Sequence, residues 1–123
     1  MTNKEVVARF MEEVFNNRDL SHLDEMMRDD YMQHNPNAPD GKQGFIEFTK
    51  RFFPLEPYME IVKMFENENN EVAVFFKCTC RANGSINKVV DIYRLEDGKL
   101  AEHWDVVEHN VTEFSEVNHR SIF

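Results

Sequence analysis

The sequence predicts an α+β fold, with helices first and a curved antiparallel sheet after them. Two observations carry this. In the first half, apolar residues recur at three- and four-residue spacing. From Tyr58 onward, β-branched and aromatic residues dominate short runs separated by turn signals. Helices followed by hairpin-linked strands place the helices on one face of the sheet.

The elements follow in order. Thr2 and Glu5 match a capping box, a hydroxyl N-cap with Glu three positions later. Behind it Val6, Val7, Phe10, Met11, Val14 and Phe15 carry a helix to the Asn16-Asn17 pair. A second, shorter helix capped by Asp19 or Ser21 carries Leu20, Leu23, Met26 and Met27. In "DDYMQHNPNAPDGKQG", Pro36, Pro39, Gly41 and Gly44 force turns. Only a short extended segment, Tyr31 to His34, fits there. Phe45, Phe48, Phe52 and Phe53 mark a third helix that stops at Pro54. "YMEIVKMFE", "EVAVFFKCTC" and "KVVDIYRL" are strands, a fourth starts at Lys99, and "NENN" and "ANGS" are hairpin turns. A twisted sheet wrapped around helices leaves a concavity at one end, where small-molecule sites are usually found.

Composition narrows the classes. The 123 residues suit a single domain spanning the chain, 1–123. Eleven Phe and seven Met supply bulk for a core. No run approaches the ~20 apolar residues that span a bilayer, and "MTNKEVVARF" does not read as a signal sequence, so a cytoplasmic protein is expected. The net charge of −9, with no basic patch, argues against nucleic-acid and membrane-surface partners. Cys78 and Cys80 point to one strand face, ~6.6 Å apart, which suits two small buried apolar residues.

The chemistry concentrates in "VVDIYRLEDGKLAEHWDVVEHNV", Val89 to Val111. Charged groups in apolar strands cost free energy unless solvated, paired or used. A type I turn with a bulge at Gly98 places Leu95 opposite Lys99, Asp91 opposite His103 and Val89 opposite Asp105. Asp91, Tyr93, Ala101, His103, Asp105 and Val107 then share one face, and Val90, Ile92, Arg94, Leu100, Glu102, Trp104 and Val106 the other. A strictly two-residue Asp97-Gly98 loop would pair Asp91 with Trp104 and split the set. On the first register a carboxylate orients an imidazole and a second carboxylate stands ready as general base. The plainer alternative is a solvated ion pair on an open sheet face.

Trp104 reads as core or subunit contact, His22 as a surface residue, and His109 and His119 as solvated residues at or beyond the last strand. His34 stands in "YMQHNP", where a loop function and turn chemistry alone explain it equally well. Two histidines with Asp91 and Asp105 form a conceivable ligand set. No ligand-spaced motif supports a metal, and none is expected.

"YMQHNPNAPDGKQGF" and "VVDIYRLEDGKLAEHWDVVE" resemble the SnoaL-like polyketide cyclases of the nuclear transport factor 2-like superfamily. The resemblance runs from the first helix through Glu108. It implies an NTF2-like cone, a curved sheet around N-terminal helices with an apolar pocket at its open end. It further implies a homodimer through the outer sheet face, including Trp104, and cofactor-free chemistry. In the cyclases a pocket aspartate is the base for an intramolecular aldol condensation, and Asp105 in "HWD" matches it. His103 oriented by Asp91, or His34, would donate to the enolate or alkoxide oxygen. Tyr31 and Asn35 would orient the substrate, with Phe45, Phe48, Phe52 and Phe76 as its apolar wall. The superfamily also holds isomerases, dehydratases, epoxide hydrolases and members without known chemistry, so fold alone proves no activity. Arg94, on the face away from Asp91 and Asp105, weighs against epoxide opening. A non-catalytic ligand-binding or dimerisation domain is the alternative. A transport adaptor has little support, since nothing marks a partner surface. The tail, Glu113 to Phe123, could close the pocket, extend a strand to a partner, or hang free.

Overall fold

The capping box opens the chain as predicted. In a computed structural model describing residues 1–123, Thr2 Oγ1 accepts from the Glu5 amide, and Glu5 Oε1 accepts from the Thr2 amide. Helix α1 (Asn3–Phe10) follows, continuing as π-helical turns over Met11–Asn16. The wider turns end with Asn17 donating to the Glu12 carbonyl. There the Asn16 amide bonds both backbone groups of Met59, at 3.0 and 2.7 Å. One side chain thus ties the helix end to the sheet.

The sheet holds β1 (Met27–Gln33), β2 (Pro57–Glu66), β3 (Glu71–Cys80), β4 (Ser85–Glu96) and β5 (Lys99–Glu108), in the order β1-β5-β4-β3-β2. The last four strands pair antiparallel through hairpins, as expected, whereas β1 lies parallel to β5 at the edge. Helix α2 (Leu23–Met26) is therefore shorter than its apolar pattern suggested, because Met27 leaves it to pair opposite Leu100. The strand after it is correspondingly longer than Tyr31–His34. Neither proposed residue caps α2: His22 precedes it without a side-chain bond, and Asp19 Oδ1 accepts from the Ser21 amide instead.

Helix α3 (Gly41–Phe52) and a 3₁₀ turn (Phe53–Leu55) close the concave side. Gly44 is required by contact. A Cβ there would sit 2.2 Å from the Pro39 carbonyl oxygen, so the loop carrying Asn35 rests directly on the helix backbone. Phe10, Phe15, Phe45 and Phe52 meet mostly edge-on between α1, its π extension and α3, with centroids 5.3–6.0 Å apart. Such pairs add roughly 0.5–1.5 kcal/mol each beyond their burial. Strand β3 alternates strictly, with Val72, Val74, Phe76, Cys78 and Cys80 buried against this layer.

The convex face carries an exposed apolar patch. Val90, Ile92, Phe65 and Val106 are exposed there, Val106 at 74%. The tail does not close the concavity. It turns back on itself, with Phe114 bridged to Ser121, stacks Phe123 on Phe75 at 6.2 Å and pairs Glu113 with Lys77 at 2.8 Å.

Candidate functional site

The β4–β5 hairpin positions the site, by a route other than the predicted one. Its loop is the two-residue Asp97-Gly98 turn, with φ of 50° and 77°, and Glu96 faces Lys99. That loop alone would have split the cluster. The pairing shifts by one residue between Leu95↔Leu100 and Arg94↔Glu102, leaving Ala101 as an extra, buried residue in β5. The bulge restores the parity. Asp91 now lies opposite Asp105, and Tyr93 opposite His103, in place of the expected Asp91–His103 and Val89–Asp105 pairs. All four still face the helices, and Asp91 meets His103 on the diagonal.

These side chains stand in a cavity of about 380 Å³ between the sheet, α3 and the Asn35–Ala38 loop. Tyr31, Asn35, Phe45, Phe48, Phe52 and Phe76, which the resemblance put forward for substrate contact, all line it. Asp91 and His103 are buried, Asp105 half-buried. Tyr93 donates to Asp91 Oδ2 at 2.8 Å and stacks on the His103 ring, centroids 4.8 Å apart. Asn35 Nδ2 donates to Asp105 Oδ2 at 2.7 Å, and no protein donor meets Oδ1 of that carboxylate.

Gln33, which the sequence reading passed over, decides the state of His103. Its Oε1 accepts from the Asn35 backbone amide at 2.9 Å, which fixes that atom as oxygen. It also lies 2.7 Å from His103 Nδ1. An amide oxygen can only accept, so Nδ1 is the donor and carries a proton. His103 Nε2 is then 3.1 Å from Asp91 Oδ1, a charge-pair distance without hydrogen-bond alignment, and is sealed from solvent. Burial, then the nearby Asp91, hold the phenols of both Tyr31 and Tyr93 well above the usual range. Both remain donors. Burial, then Cys80, push the Cys78 thiol up to about 12. Cys78 and Cys80 are free and form apolar wall.

His34 does not join them. Tyr31 and Gln33 point into the cavity, so the intervening alternation turns His34 outward. There it lies parallel to Trp104, centroids 4.8 Å apart and 2° between planes, with Nε2 2.7 Å from Glu102. Arg94, then His34, hold the Glu102 carboxyl below its ordinary value. His34 therefore cannot serve as the expected donor in the pocket, nor complete a metal set. Asp91, His103 and Asp105 alone each offer a ligand atom, all within 4.8 Å of one another. His109, read as merely solvated, is exposed yet lines the cavity mouth with Asn87 and Asn110.

A family model for the SnoaL-like domain matches residues 7–103. The chain belongs to the SnoaL-like domain family. No curated relative matches it by sequence. Solved structures of the same fold include a SnoaL-like polyketide cyclase from Agrobacterium tumefaciens, at 16% identity and TM-score 0.71, covering 88% of this chain and 92% of that one. TsrD from Streptomyces laurentii is similar at 19% identity and TM-score 0.70, covering 85% and 87%. An NTF2-like protein of unknown function from Cytophaga hutchinsonii follows at 16% and 0.71, covering 88% and 91%. These likenesses establish the NTF2-like α+β cone. No helix in this SnoaL-like chain is long and apolar enough to cross a membrane.

Proposed function

We propose that this SnoaL-like protein abstracts a proton next to a carbonyl, in the manner of an aldol cyclase or related isomerase, on a small substrate with an apolar body. One observation carries the reading. Asp105 stands in an aromatic cavity with one carboxylate oxygen held by Asn35 and the other free, beside the Asp91–His103 pair. The resemblance in fold to a SnoaL-like polyketide cyclase supports the reaction class.

Asp105 Oδ1 takes the acidic proton of a carbon between two carbonyls. The C–H electrons pass to one carbonyl oxygen, and the enolate carbon then attacks a further carbonyl of the same molecule, remote from those two, whose π electrons become the alkoxide. The resulting alkoxide recovers the proton from Asp105. The substrate's own carbonyl holds the electron pair, so no cofactor enters the scheme. His103, oriented at Nδ1 by Gln33 and flanked by Asp91, opposes the developing negative charge in its doubly protonated, cationic form. Tyr31, a buried phenol kept protonated, is the second donor.

Replacing Asp105 by Asn tests this. Turnover of a β-dicarbonyl substrate should fall roughly a hundredfold or more, with the dissociation constant nearly unchanged. The mostly apolar lining also fits a non-catalytic binding site. That reading prevails if no β-dicarbonyl compound turns over in the unaltered protein although such compounds bind.

For the convex face we propose a second copy of this chain as occupant. Exposed Val90, Ile92 and Val106 lie on adjacent central strands, a self-complementary surface for a two-fold pair. Light scattering should give a dimer mass, and Val106→Glu a monomer; a monomeric wild-type chain would remove the proposal.

A further inference from the structure

The chain has 14 lysines and arginines, yet none lines the cavity. Its carboxylates are Asp91 and Asp105, and only imidazoles can oppose them. Even with His103 protonated, the inner end sets two carboxylates against one cation. The tyrosine hydroxyls and the thiols are neutral donors and add no positive charge. An anionic head group placed there would give up its water and meet like charge.

The other end differs. Asn87 lies on β4 four residues before Asp91, roughly 13 Å along the strand, with Ser85 and Asn110 beside it in the lining. These are uncharged hydrogen-bonding groups, and the exposed imidazole of His109 is the one titratable group beside them. Between the ends, Val89 faces Phe76 on one side and Val107 on the other, an apolar belt across three strands.

We infer that the site selects by charge as well as shape. It takes an elongated apolar body with an uncharged polar group at each end. It tolerates a positive charge at the inner end and rejects the same skeleton ending in a carboxylate or phosphate. This rests on the cavity being the ligand site of the proposed function, but its test reads binding, not turnover. Loss of the catalytic reading and loss of this one are separable.

The test is calorimetric titration with four probes on one skeleton: methyl naphthoate, naphthamide, naphthylmethylammonium and naphthoate. The ester, amide and ammonium should bind, with naphthoate weaker by about tenfold or more. In a protein carrying Asp91→Asn with Asp105→Asn, naphthoate should approach the ester. The wild-type comparison stands even if that variant does not fold. Naphthoate binding as tightly as the ester, a gap that persists in the folded double variant, or no binding by any probe would overturn the inference.

Discussion

Gln33 controls which nitrogen of His103 faces Asp91. Its oxygen is committed by the Asn35 amide, so it accepts from Nδ1 and leaves Nε2 toward the carboxylate. Gln33→Leu removes that acceptor. A buried Nδ1–H would then lack a partner, at a cost of about 1–3 kcal/mol, and neutral His103 should shift its proton to Nε2, where Asp91 can accept it. Nitrogen-15 NMR of the ring reads the two nitrogens separately. The expected result is a protonated Nδ1 in the native chain and in Gln33→Glu, which keeps an acceptor, with the proton moved to Nε2 in Gln33→Leu. An unchanged ring spectrum in Gln33→Leu would show that Gln33 only fills space. The residue was invisible in the sequence because an amide carries no charge to draw the eye. Its parity was legible: Tyr31, Gln33 and Asn35 share one face, and the same count should have turned His34 away.

At the scale of elements, most of the architecture could be read from periodicity. The capping box, the helix over Phe45 to Phe52 and the three hairpins rest on local chemistry, and the structure keeps them. What could not be read depends on pairing between distant segments. The chain leaves α2 for a strand at Met27 because β5 offers an open edge with Leu100 opposite, and no local pattern announces that edge. The hairpin shows the same limit. Asp97-Gly98 signals a tight turn, and alternation of Asp91, Tyr93, His103 and Asp105 demands a compensating extra residue. The sequence could not say whether that residue lay in the loop or the strand. Ala101, small enough to be buried beside Leu100, takes it in the strand. The shared face was therefore predictable while the pairing on it was not. The tail's choice of Phe75 as its resting place is long-range in the same way.

At the scale of the molecule, the folded helices and sheet bury the inner end of the cavity, and the tyrosines report on it. Burial, followed by the Asp91 carboxylate, raises both Tyr31 and Tyr93, two of the chain's three tyrosines. In the unfolded chain these phenols ionise near ~10. Below that pH both states hold their protons, and the folded protein keeps the full contribution. Above it the unfolded state releases protons that the folded state retains, so stability falls as pH rises toward the folded values. Denaturant midpoints measured from about pH 9 upward should therefore decline, less steeply in Tyr31→Phe. Phenolate absorbance should show two tyrosines ionising only as the chain unfolds. If all three ionised with the fold intact, water would reach Asp91 and His103. A carboxylate and an imidazole in water form an ordinary exposed pair worth little, and Asp105 would lose the buried, charge-ordered neighbours on which its proposed role as base rests.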